Sequence, residues 1–77
     1  MSESLAEALP RQIERVTAKR DRWIKMTKDH PEMASGMNIG IALMQTEIMN
    51  AVKASASGDV AEMMKAHEAL AGYSDDD

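Results

Sequence analysis

The apolar positions between Met37 and Val52 repeat with the period of an α-helix. Met37, Ile41, Met44, Ile48 and Ala51 follow one another at spacings of four, three, four and three. On a 3.6-residue helix these positions fall on one narrow face. Ile39 and Leu43 project from another side of the same helix. A helix that is apolar on more than one side needs more than one neighbour. In a chain of 77 residues, one of those neighbours can be a second molecule.

Two further helices follow from the same pattern. Leu9, Ile13, Val16, Trp23, Ile24 and Thr27 share one side of a helix, and Arg11, Arg15, Lys19, Arg22 and Lys25 share the opposite side. Pro10 fits the first position of that helix, where its missing N–H costs nothing. Ser4 and Glu7 also form a capping-box pair, but a helix begun there would carry Pro10 in its interior, at the cost of a hydrogen bond and a clash. The first helix is therefore expected over about 10–29, with residues 1–9 outside it and flexible, and with Leu5 and Leu9 in a short turn against it. Asp29-His30-Pro31 ends it, because the residue before proline is driven out of the helical region.

A loop or distorted turn to about Ala34 then leads into a second helix over about 35–56. Gly36 and Gly40 each cost about 1 kcal/mol of helix propensity against Ala. Either the regular helix starts late or the glycines admit a close neighbour. Ser57-Gly58-Asp59 is a strong break. Gly58 can take the left-handed conformation that terminates a helix, and Asp59 with Glu62 can cap the next. The third helix is expected over about 59–71, with Val60, Met63, Met64, His67 and Leu70 inward. Gly72 stops it, and residues 73–77 are expected to be flexible. Short connections make the helices antiparallel neighbours. The expected architecture is all-α: one helical domain over 1–77, three helices, homodimeric. Its core and subunit-packing set is Ile13, Val16, Met37, Ile39, Gly40, Ile41, Leu43, Met44, Ile48, Met63 and Leu70.

Composition sharpens the oligomer expectation. A core of this size is marginal without a supplement. Cysteine is absent, so disulfides and thiolate metal sites cannot provide one. Phe is also absent, and eight Met residues fill part of the gap. Met packs adaptably but specifies a rigid core poorly. No run approaches the roughly 18 apolar residues of a membrane span, and the first residues lack a basic region followed by an apolar one. These features read as a soluble, cytoplasmic protein.

The net charge of −4 argues against a nonspecific nucleic-acid binder. Its distribution is uneven. Residues 11–28 hold seven of the nine Lys and Arg against Glu14 and Asp21, a local balance of +5. Residues 58–77 hold six acids against Lys65, a balance of −5. A basic helix and an acidic segment in one chain can attract each other, within a subunit or between subunits.

Arg20 sits in the middle of the apolar side of the first helix and must snorkel, pair with an acid such as Glu47 or Glu62, or meet something anionic. Trp23 reads as core or interface, with a binding hot spot or a base-stacking platform as alternatives. His67 reads as a packed neutral histidine and His30 as a turn residue. Two His in separate elements make a poor metal site. Met33 and Met49 lie off the main stripe and suit an adaptable binding surface. No nucleophile beside a His, Gly-rich phosphate loop or zinc-protease motif is present. The reading is therefore non-enzymatic, with no cofactor and no catalytic or metal residues.

From Ile39 onward the chain resembles a group of small helical proteins encoded in phage and prophage genomes. The positions that carry the resemblance are Ile39-Gly40, Met44, Ile48, Ser57-Gly58-Asp59, Met63 and Leu70. Ile39 stands where an aromatic residue is expected, and the basic first helix lies outside the shared pattern. The resemblance implies a phage origin, and small accessory phage proteins commonly bind and redirect a host protein. The leading functional expectation is thus a protein–protein interaction module that inhibits or modulates a host protein, as in counter-defence or host takeover. Its candidate contacts are Arg15, Lys19, Arg20, Arg22, Trp23, Met33 and Met49. One alternative is a nucleotide-sequestering protein in which Arg15, Lys19 and Arg20 hold phosphates at a subunit interface while Trp23 stacks on a base. Another is a structural or assembly component of a phage.

Overall fold

The computed structural model describes residues 3–76, and these form three α-helices and a single 3₁₀ turn. Helix α1 spans Leu5–Asp29, α2 spans Ala34–Ser57 and α3 spans Val60–Ala71, with the 3₁₀ turn Pro31–Met33 between the first two. All three helices pack on one another.

Helix α1 starts five residues before the position expected from Pro10. The Ser4 side chain accepts a hydrogen bond from the Glu7 amide at 3.3 Å, so the capping box is real, and Pro10 lies inside the helix. Magnitudes explain why this start wins. An interior proline costs about 3 kcal/mol. Burying one leucine returns about 1.5–3 kcal/mol, and the cap about 1 kcal/mol. Leu9 is fully buried and Leu5 packs against the core, so extending the helix through Pro10 brings in both leucines. The flexibility expected for residues 1–9 and 73–77 falls in part on Met1, Ser2 and Asp77, which lie outside the described residues.

The breaks fall where local chemistry puts them. The His30 amide closes α1 by donating to the Met26 carbonyl at 2.8 Å. Gly58 takes φ 71° and donates its amide to the Ala54 carbonyl at 3.1 Å, a left-handed stop that glycine adopts without a Cβ penalty. The Asp59 carboxylate then accepts from the Glu62 amide at 3.2 Å, capping α3.

Leu9, Val16, Met44, Ile48, Ala51, Ala54, Met63, Ala66 and Leu70 form the core. The stripe predicted on α2 faces it, with Met44, Ile48 and Ala51 buried and Met37 and Ile41 half-buried. On α3 the inward side is Met63, Ala66 and Leu70, with His67 half-buried, whereas Val60 and Met64 are exposed. This corrects the inward set read from size. The small Ala66 lets α3 approach closely, and the larger Val60 and Met64 fall outside the contact.

Length mismatch shapes the molecule. Helices α1 and α2 have 25 and 24 residues and α3 has 12. At a rise of about 1.5 Å per residue, α3 spans only half of the other two. One end is a three-helix bundle. The other, from Trp23 through the turn to Met37, is a two-helix hairpin. The extents, 43 × 24 × 15 Å, describe an elongated molecule. Its radius of gyration, 13.5 Å, exceeds the roughly 11.5 Å expected of a compact chain of this length.

Candidate functional site

Two surfaces carry the residues singled out by sequence. The first is the outer face of α2. Ile39 is 69% exposed, Leu43 54% and Met49 53%. With Ala42 and Thr46, also exposed, they recur every three or four residues and form one solvent-facing stripe. Ile39 and Leu43 thus project away from the core, as their offset from the main stripe predicts. Met33 is 47% exposed and lies in the 3₁₀ turn, away from this stripe.

The second surface is a flank of α1. Arg15 and Lys19 lie on the side of α1 opposite its apolar stripe, yet the structure covers them. Lys19 is only 4% exposed and Arg15 is half-buried. An α1 that packs against both α2 and α3 buries a wider arc than its apolar stripe alone. The excess arc contains Gln12, Arg15 and Lys19. The Arg15 guanidinium donates to Gln12 at 2.9 Å, to the Leu70 carbonyl at 2.8 Å and to the Asp75 carboxylate at 2.7 Å. The Leu70 carbonyl is at the end of α3 and also accepts from the Tyr73 amide at 3.2 Å. The Lys19 ammonium donates to the Ser74 carbonyl at 2.5 Å, the Asp76 carbonyl at 2.8 Å and the Ser74 hydroxyl at 3.4 Å. It also lies 5.6 Å from the centre of the Trp23 ring, within cation–π range. The segment after α3, expected to be flexible, is thus laid across α1.

Arg20 is half-buried, and its guanidinium is held by the adjacent Asp21 at 3.0 and 3.2 Å. Its expected partner Glu47 instead acts on the Tyr73 hydroxyl. The Glu62 amide donates to the Asp59 cap of α3, and its carboxylate faces Lys65 at 3.9 Å. Arg22 is exposed. Trp23 is half-buried against Gly40, so the pair forms the close approach that one reading of the glycines anticipated. A Cβ built on Gly40 would lie 2.6 Å from Cζ3 of the indole. The indole N–H is buried with no acceptor among the described residues.

Tyr73 shows how the segment after α3 is seated. Burial, the negative charge of Glu47 and the hydrogen bond to it all raise the phenol above its ordinary pKa of 10.0. A folded-state pKa above the unfolded value gives stability that is fully present below the unfolded pKa and is lost as pH rises through the folded one. Absorbance titration of this single tyrosine should therefore give a midpoint above 10, and Glu47→Gln should move the midpoint down. An unchanged midpoint in Glu47→Gln would remove Glu47 as a cause.

An open groove of about 630 Å³ runs between α2 and α3, with Glu47, Asn50, Lys53, Glu62 and Lys65 on its walls. Its charges of both signs are spread along two helices rather than converging on a point. Among the described residues no group of three or more His, Cys, Asp or Glu could hold a metal ion, and no helix is long and apolar enough to cross a membrane.

The α1 flank escaped sequence reading for a physical reason. Burial of Lys19 depends on residues 74–76, which contain no apolar side chain to signal contact. The only available hint was the opposition of +5 and −5 along the chain. Comparison with known proteins gives no match: no protein family, curated protein or solved structure is significantly similar to this chain.

Proposed function

We propose that this chain is a non-enzymatic protein–protein interaction module, a phage-encoded modulator of a bacterial host protein acting in the host cytoplasm. We further propose that it self-associates as a homodimer. The observation that carries the reading is the solvent-facing stripe of Ile39, Leu43 and Met49 on α2. Isolated exposed apolar residues are ordinary, but a contiguous row on one helix is the pattern of an association surface. A standard interface removes about 800 Å² per partner, a modest share of the 5158 Å² surface.

Nucleotide sequestration draws less support. Arg15 and Lys19, its proposed phosphate ligands, already hold oxygens of the chain itself. Trp23, its stacking platform, packs on Gly40.

The test is a double substitution, Ile39→Asp with Leu43→Asp. Both positions are exposed, so helix content and melting temperature should change little. Light scattering at micromolar concentration should give twice the chain mass for the unmodified protein and the single-chain mass for the variant. Capture from host lysate should retain one stoichiometric protein on the unmodified chain and lose it on the variant. A single-chain mass together with no retained protein for the unmodified chain would sink the proposal.

A further inference from the structure

We propose that the α2 stripe is occupied by the same stripe of a second copy of this chain, laid antiparallel, so that Glu32 of each chain meets Lys53 of the other. The inference rests on the homodimer reading above and fixes the geometry which that reading leaves open.

Three observations carry it. First, the stripe is longer than its apolar part, and its two ends differ in charge. Toward the N-terminus the row continues from Ile39 through Ser35 to Glu32, and toward the C-terminus from Leu43 through Thr46 and Asn50 to Lys53, all exposed. Each step is three or four residues, so the row stays on one side of a helix, as in the seam of a coiled coil. Glu32 belongs to the 3₁₀ turn that leads directly into α2. An acid therefore stands at one end of the row, a base at the other, and apolar side chains in the middle.

Second, the row matches itself when reversed. Antiparallel pairing about the point between Ala42 and Leu43 sets Glu32 against the partner's Lys53 and Ser35 against the partner's Asn50. It sets Ile39 against the methyl-bearing Thr46 of the other chain and Leu43 against Ala42. Charge thus meets opposite charge, polar meets polar, and the apolar positions meet at the centre. A two-fold axis makes every one of these contacts twice. Parallel pairing would set Lys53 on Lys53 and Glu32 on Glu32, and like charges in juxtaposition oppose association.

Third, the charged ends are available. The Lys53 side chain holds no ion pair or hydrogen bond among the described residues. The Glu32 side chain is 70% exposed and pairs with an exposed His30 at 3.3 Å. A pair so open to water holds its members weakly, and Glu32 can turn to a second cation.

The experiment uses the full chain, which has no cysteine of its own, with Ser35→Cys and Asn50→Cys as separate variants. In the antiparallel seam two copies of either position lie roughly 22 Å apart at about 1.5 Å per residue, far beyond the Cα separation of under about 7 Å that a disulfide spans. Oxidised alone, neither variant should give a linked dimer. An equimolar mixture should give a mixed disulfide, read by intact mass. Lys53→Glu should raise the dissociation constant of the dimer at least about tenfold, and adding Glu32→Lys should return it to within about threefold of the unmodified chain, because the exchange restores both opposite-charge contacts. If a cysteine variant loses its helical circular dichroism, the charge exchange alone decides.

A dimer in which either cysteine variant links to itself, or in which the mixture gives no mixed disulfide, would overturn this arrangement and leave the homodimer reading standing. So would a weakening by Lys53→Glu that Glu32→Lys does not recover. A single-chain mass for the unmodified protein would remove both. If a lysate protein is then retained and is lost with Ile39→Asp and Leu43→Asp, the stripe belongs to that protein instead.

Discussion

Leu9→Ala is expected to lower the free energy of unfolding by about 2–5 kcal/mol, the range for deleting a fully buried leucine side chain. Leu9 is 0% exposed and belongs to the core. For a chain of this length the total is on the order of 4–12 kcal/mol, so the variant should be partly or wholly unfolded at 37 °C. At about 4–8 °C per kcal/mol, the melting temperature should fall by at least about 8 °C. Urea denaturation followed by circular dichroism measures both. The substitution also separates two accounts of the same residues. If the helix began at Pro10 and Leu9 lay in a flexible flank, truncation would cost under about 0.5 kcal/mol, as at ordinary surface sites. A loss that small would remove the Ser4 cap and the passage of α1 through Pro10 from the description.

The second large effect is a contrast within α2. Gly36→Ala and Gly40→Ala are the same chemical change, four residues apart on one helix. Each gains up to about 1 kcal/mol of helix propensity. At Gly36 the new methyl meets nothing within 4 Å, so the gain should survive and the variant should be more stable. At Gly40 the methyl falls 2.6 Å from the Trp23 ring and 3.4 Å from two further ring atoms. An indole is rigid, so the ring must shift as a unit, and overpacking of this kind costs about 1–3 kcal/mol. Thermal melts should order the proteins Gly36→Ala, unmodified, Gly40→Ala. The emission maximum of Trp23 should change in the last alone. Equal stabilisation by both substitutions would show that the Trp23–Gly40 contact does not constrain the helix pair.

Periodicity and punctuation made most of the fold legible. The α2 stripe, the Ser57-Gly58-Asp59 break and the turn at His30-Pro31 each follow from local rules, and the helices lie where those rules put them. The start of α1 did not, because it depends on a competition. The penalty of Pro10 is visible in the sequence, but the burial of Leu9 that outweighs it is tertiary. Residue size misled on α3, where Ala66 packs and Met64 does not. Met49, a candidate contact, and Ile39 and Leu43, from the core and subunit-packing set, could be placed off the main stripe from helical offset alone. Lys19 could not be placed, since a lysine on the polar side reads as solvated until the segment that covers it is known.

The short α3 has a consequence for motion. Cooperative opening in small proteins proceeds through units of different stability, and here the long axis divides into two. At the bundle end Leu9, Val16, Ile48 and Leu70 are tied together from three helices. At the hairpin end the packing of Trp23 on Gly40 joins only two, with Met37 and Ile41 half-buried beside it. Fraying that begins at the Pro31–Met33 turn can part α1 from α2 there and uncover the indole while the far end stays folded. Lys19 lies near that boundary, so local unfolding of the hairpin also loosens one side of its enclosure.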